Sequence, residues 1–167
     1  LKSFTFPSII EDIDQGILRV FESENLPFIV KRVFSVVNAK GGSKRGQHAH
    51  KKCNQLICCV AGVINLICDD GENQDERLLS PESDAVLVPP GIWAEQDYLK
   101  DNTFIIVFCD QPYDERDYIR DYQEFLNWKK DHPLYNLPEM IKTTKKVVVF
   151  EGEKTTESAI KLLPDYC

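Results

Sequence analysis

Arg45-Gly46-Gln47-His48-Ala49-His50-Lys51 decides the reading of this chain. Two of its 3 histidines stand one residue apart here. In an extended strand, side chains alternate between faces, so residues i and i+2 share a face. His48 and His50 are therefore expected to project into one pocket. Imidazole titrates nearer neutrality than any other side chain, so such a pair points to proton transfer or to metal binding. Arg45 and Lys51 flank the pair at odd offsets and, on a regular strand, point away from it. Arg45 is still a candidate substrate contact from the strand end.

Outward from this stretch, short β-type runs separated by turn signals fill residues 4 to 109. Phe28-Ile29-Val30 leads into Arg32 to Val37, and Gly41-Gly42-Ser43 breaks the run. Gln55 to Val60 and Val63 to Cys68 flank Ala61-Gly62 as a hairpin that ends at Asp69-Asp70-Gly71. Ala85 to Val88 stops at Pro89-Pro90-Gly91, and Thr103 to Phe108 is the last strong strand. Many short strands at regular spacing indicate an all-β sandwich or barrel. The runs are often continuously apolar, which suits strands covered on both faces, by a second sheet or by a second subunit. Residues 114 to 130 place apolar side chains at 118, 119, 122, 125 and 126, the stripe of a helix. Residues 131–167 read as a linker and appendage, with Lys146 to Phe150 a strand candidate and Thr155 to Leu163 a helix candidate.

The 167 residues fit one domain over 1–130 plus that short α/β tail. Net charge is −7 with no basic block, which argues against nucleic acid as partner while leaving room for a local cationic site for an anionic small molecule. Leu1 to Pro7 lacks a basic stretch followed by an apolar run, so no secretory signal is expected, and no run approaches the ~20 apolar residues of a membrane span. The 6 cysteines lack CxxC spacing and are expected as small buried hydrophobes of a reducing cytoplasm.

The spacing Gly42-(x5)-His48-x-His50-(x4)-Gln55-(x6)-Gly62 resembles the first motif of the cupins, in which two His and a Glu bind a metal inside a small β-barrel. The second cupin half-motif, Pro-x-Gly-x-x-His, is similar to Pro89-Pro90-Gly91-Ile92-Trp93-Ala94, which keeps the Pro and Gly. Gln55 stands where the carboxylate belongs, and Ala94 where the third imidazole would fall. A divalent transition metal wants three or four good N, S or carboxylate ligands. No metal and no cofactor are therefore expected, and the two imidazoles are free to act as acid and base.

Lys31-Arg32-Val33-Phe34, Arg45 to Lys51, Asp69-Asp70-Gly71, Val88-Pro89-Pro90 with Trp93, and Tyr113 to Tyr122 together resemble the WxcM-like, FdtA-type cupins. These are nucleotide-sugar 3,4-ketoisomerases of deoxyaminosugar biosynthesis. The resemblance runs from about residue 3 to residue 128. It implies a cupin fold, a double-stranded β-helix or jelly-roll barrel, here with a C-terminal helix. It also implies a metal-free reaction on dTDP-4-dehydro-6-deoxy-D-glucose, in which a base removes the C3 proton, a cis-enediol forms, and a proton returns at C4. On this resemblance His48 and His50 are the catalytic pair and the protein is a cytoplasmic homodimer.

Further contacts are candidates from the residues themselves. Arg32, on another predicted strand, suits the pyrophosphate. Gln55 suits a sugar hydroxyl or a histidine. Trp93, after the Pro-Pro-Gly turn, suits stacking on a sugar or base at the barrel mouth. The Asp117-Tyr118-Ile119-Arg120-Asp121-Tyr122 string reads as structural, in a helix or a dimer contact. Ser35 occupies a position where the resembled family usually carries an aromatic. Two rival functions stand beside the first: a sugar epimerase on the same barrel, acting at C3 and C5, and a non-catalytic nucleotide-sugar-binding module.

Overall fold

The computed structural model describes residues 2–5, 9–12, 16–133 and 148–149. Its strands are β1 (Lys2–Phe4), β2 (Ile9–Asp12), β3 (Gly16–Arg19), β4 (Arg32–Ala39), β5 (Lys44–His50), β6 (Gln55–Ala61), β7 (Ile64–Asp69), β8 (Gln74–Leu79), β9 (Ala85–Val88), β10 (Trp93–Tyr98), β11 (Thr103–Cys109), β12 (Tyr118–Ile119) and β13 (Val148–Val149). One helix, α1 (Tyr122–Asp131), follows β12. The strands form two 5-stranded sheets, ordered β1-β9-β6-β11-β4 and β12-β5-β10-β7-β8. All pairings within these two sheets are antiparallel. This is the cupin jelly roll expected from the sequence. A 3-stranded sheet, β13-β2-β3, pairs Val148–Val149 in parallel with β2. The helix expected over Thr155 to Leu163 lies outside the described residues.

Three apolar clusters explain the continuously apolar strands. Ile57, Leu66, Tyr98, Ile105 and Val107 fill the space between the sheets. On the outer face of the first sheet, Leu56, Cys58 and Phe108 are covered by Phe21, Leu26, Phe28 and Val30, the chain's own segment ahead of β4. On the outer face of the second, Ala49, Trp93 and Ile119 lie under Phe125 of α1. Each fully buried side chain of this size contributes about 1.5–3 kcal/mol. β6, at the centre of the first sheet, is buried from Gln55 through Cys59 because both of its faces are covered.

The expected helix over 114–130 is shorter in the structure. Asp114 accepts Arg116 N–H at 3.0 Å and ends the stretch in a single 3-10 turn. Asp121 then caps α1 by accepting Glu124 N–H at 2.8 Å. Between these two acidic caps, Tyr118 and Ile119 pair with His50 and Ala49. The edge of β5 presents unpaired backbone groups, and that short segment satisfies them. β8 and β10 carry polar, alternating sequences rather than apolar runs, and so give no strong strand signal.

Candidate active site

The pair at the centre of β5 shares one face. The His48 and His50 ring centroids lie 5.0 Å apart, nearly perpendicular at 81°. His48 Nδ1–H donates to Gly46 O at 2.9 Å. His50 Nδ1–H donates to Asp117 Oδ2 at 2.7 Å. Asp117 is held in turn, since its Oδ1 accepts Lys52 N–H at 2.7 Å. Among the described residues, His50 Nε2 is buried with no hydrogen-bond partner. Its lone pair is therefore available to a ligand in the pocket. Burial holds His48 below its ordinary pKa and pushes His50 down to about 4, against the pull of Asp117. Both rings are therefore neutral at pH 7, with their lone pairs on Nε2.

Arg45 faces the same way as the imidazoles, contrary to the expectation from a regular strand. The cause is a β-bulge. Ala94 pairs with His48, Glu95 with Gly46 and Gln96 with Arg45, so Gln47 is the extra residue. The bulge needs positive φ at Gly46 (81°) and Gln47 (55°). A Cβ on Gly46 would lie 2.6 Å from Ala94 O, so only glycine fits. The inserted residue reverses the parity of everything before it and turns Arg45 toward buried Gln96 and Tyr98.

Arg32 stands at the start of β4, across from Cys109. Its Nη2–H donates to Cys109 Sγ at 3.4 Å, and it lies within electrostatic reach of His48, His50 and Tyr118. Burial opposes its charge, but Cys109 and Tyr118 outweigh that and raise its pKa. The same neighbour acts on Cys109: hydrogen bonds from Cys53 and Arg32 pull its thiol down while burial pushes up. Gln55, 6% exposed, pairs with Cys109 in the ladder and shares the inward face of Ile57. Arg32 and Gln55 thus reach the imidazole pocket.

Trp93 does not. It pairs with Ala49 on the face opposite the imidazoles, 6% exposed, and its ring lies 5.8 Å from Phe125 and 5.2 Å from Tyr122. Its Nε1–H donates to Glu95 Oε1 at 2.9 Å. The expected stacking platform is a packing residue, because one step along β10 exchanges the pocket face for the helix face. Ser35 pairs with Ile106, whose side chain packs on the outer face of its sheet, so its departure from an aromatic does not touch the pocket.

Two residues read as structural belong to the pocket. Tyr118 lies opposite His50 in the ladder, with its ring 4.3 Å from His50 and 5.0 Å from His48. Asp117 anchors His50 as described. The signal for both was present in the string Asp117-Tyr118-Ile119, but it becomes legible only when those residues are read as strand rather than helix. Arg120, ion-paired to Glu115 at 2.7 Å, sits 4.4 Å over the Tyr118 ring.

The cupin metal positions were tested against these side chains. Ala94 presents a methyl group beside His48, and Gln55 a neutral amide across from Cys109. These residues do not fit a divalent cation held in the cupin manner. His50, Cys53 and Asp117 do bring potential ligand atoms within 4.8 Å of one another, but both oxygens of Asp117 are already engaged, one of them by His50.

Residues 2–130 match the model of the family described as FdtA: WxcM-like, C-terminal. A curated protein of Aneurinibacillus thermoaerophilus, named TDP-4-oxo-6-deoxy-alpha-D-glucose-3,4-oxoisomerase, is 36% identical over 124 residues, covering 74% of this chain and 88% of that one. A crystal structure of a 3,4-ketoisomerase from Helicobacter canadensis superposes with a TM-score of 0.70 at 28% identity, over 77% of this chain and 96% of that one. The sugar 3,4-ketoisomerase QdtA from Thermoanaerobacterium thermosaccharolyticum, solved in complex with TDP, gives the same TM-score of 0.70 at 27% identity, over 79% of this chain and 94% of that one.

Proposed function

The chain belongs to the WxcM-like FdtA family of isomerases, and from that premise we propose that it is a 3,4-ketoisomerase acting on dTDP-4-dehydro-6-deoxy-D-glucose to give a dTDP-3-dehydro-6-deoxyhexose. The observation that carries this reading is the Asp117–His50 pair, with His50 Nε2 buried and open. Asp117 fixes the proton on Nδ1 and keeps the Nε2 lone pair aimed at substrate, which suits His50 to take the C3 proton and return one at C4. His48, with its own Nδ1–H held on Gly46 O, offers a second lone pair, suited to the proton of the C3 hydroxyl. Arg32 and Arg45 supply positive charge for the diphosphate or the developing enediolate, and Gln55 a neutral donor. The name of the Aneurinibacillus relative and the TDP carried by the Thermoanaerobacterium structure support the substrate class.

Incubation with dTDP-4-dehydro-6-deoxyglucose in deuterium oxide, followed by proton NMR, tests the reading. Deuterium at C3 and C4 with a new 3-keto sugar is the expected result. Tyr118 beside the imidazoles favours one alternative, an epimerase pairing imidazole with phenol, and exchange at C5 in that experiment would select it. Binding without exchange at any carbon would instead select a non-catalytic module. EDTA is expected to leave turnover unchanged. Loss of turnover on chelation, restored by Zn²⁺ or Fe²⁺, would overturn the metal-independent mechanism.

The reading includes a homodimer. β4 is an edge strand, and it exposes Val33 (55%), Phe34 (37%) and Val37 (55%). An exposed apolar edge is a surface that soluble proteins normally cover. It also includes a cytoplasmic location: the described cysteines Cys53, Cys58, Cys59, Cys68 and Cys109 are all free and buried, which suits a reducing compartment. Among the described residues, no helix is long and apolar enough to cross a membrane.

A further inference from the structure

Moving a ketone from C4 to C3 takes four proton transfers: C3 loses one, O4 gains one, O3 loses one and C4 gains one. The first half requires an acid at O4. Neither imidazole can serve as that acid in its neutral form. Each has spent its only N–H, His48 on Gly46 O and His50 on Asp117 Oδ2. What remains on both at the start of the reaction is an Nε2 lone pair, which can accept a proton but has none to give.

One O–H stands against both rings. Tyr118 is 5.0 Å from His48 and 4.3 Å from His50, centroid to centroid. Arg32 lies within electrostatic reach of its side chain, and the Arg120 guanidinium lies 4.4 Å over its ring. The other tyrosines near the barrel are engaged elsewhere. Tyr98 O–H donates to buried Gln96 Oε1 at 2.9 Å, and exposed Tyr113 donates its O–H to Glu115.

We propose that Tyr118 is a catalytic acid of this site, protonating the C4 carbonyl oxygen as His50 takes the proton from C3. The proposal rests on the ketoisomerase reading. In the first half the C3–H bond breaks, its proton goes to His50 Nε2, and its electrons form the C3=C4 bond. The C4=O π pair takes the phenol proton, and the cis-enediol results. In the second half His48 Nε2 takes the O3 proton, the O3–H electrons form the C3=O bond, and the C3=C4 pair takes the proton from His50 at C4. His48 is then protonated and Tyr118 is a phenolate. Transfer between these two neighbouring rings resets the site with no co-reactant.

The test compares the parent enzyme, Tyr118→Phe and Tyr118→Ala on dTDP-4-dehydro-6-deoxyglucose. Loss of one general acid is expected to lower kcat by about 10²–10⁴-fold in Tyr118→Phe, with KM little changed. Added 4-methylphenol is expected to restore turnover to Tyr118→Ala, whereas toluene, which fills the same space without an acid, is not. A Tyr118→Phe enzyme with parental kcat overturns the proposal. So does an equal response of Tyr118→Ala to the two additives, whether both rescue or neither does. A parent enzyme that does not isomerise the substrate overturns the functional reading itself, which separates the two failures.

Discussion

At the scale of the residue, the site is built on which ring nitrogen carries the proton. Asp117 and Gly46 O set both imidazoles with N–H on Nδ1. Asp117→Asn keeps the shape but places an amide N–H against Nδ1, which forces the His50 proton to Nε2 and removes the base. A loss of about 10²-fold or more in kcat is expected, measured by steady-state assay of the 3-keto product. The same burial has a pH signature. His50 falls from the ordinary 6.5 to about 4 in the folded chain. Between those values the unfolded chain binds a proton that the folded chain does not, so stability is lost as pH falls from 6.5 toward 4. One group shifted this far accounts for about 3 kcal/mol over the window. Urea unfolding midpoints should therefore drop between pH 7 and pH 4.5. His50→Gln should flatten that slope, and an unchanged slope would show that the ring is not held neutral.

Elements decide which face a side chain sees. On β5 one inserted residue moves Arg45 onto the imidazole face, and on β10 one step moves Trp93 off it. Trp93→Ala is expected to cost about 3–5 kcal/mol in chemical denaturation, since it empties the contact under α1. KM for the nucleotide sugar should stay near the parental value, and a large rise in KM would return Trp93 to the substrate. The helical stripe at 118, 119, 122, 125 and 126 misleads for a related reason. Apolar residues at those positions satisfy a helix period, yet Asp114 and Asp121 each cap a separate turn, and the residues between them are drawn to the open edge of β5. The contacts of Asp117 and Tyr118 with the imidazoles were therefore hidden by a correct composition read with the wrong period.

For the whole molecule, the proposed dimer assigns a cover to β4. Its outward Val33 and Val37 are each 55% exposed on a strand that, among the described residues, pairs with β11 alone. A double substitution, Val33→Lys with Val37→Lys, places charge on that edge. It is expected to shift the proposed dimer to monomer in sedimentation velocity, whereas a dimer that survives the substitution uses another surface. By itself the sequence determined the jelly roll, the shared face of His48 and His50, and the loss of the cupin metal ligands. All three follow from local spacing: turn residues at fixed intervals, alternation over two residues, and an amide and a methyl where ligands belong. Only the tertiary structure decided that Asp117 and Tyr118 join the imidazoles, that Arg45 turns in and that Trp93 turns away. Each of these depends on a partner strand distant in sequence, and pairing register across that distance is set by the packing of both sheets rather than by any stretch read alone.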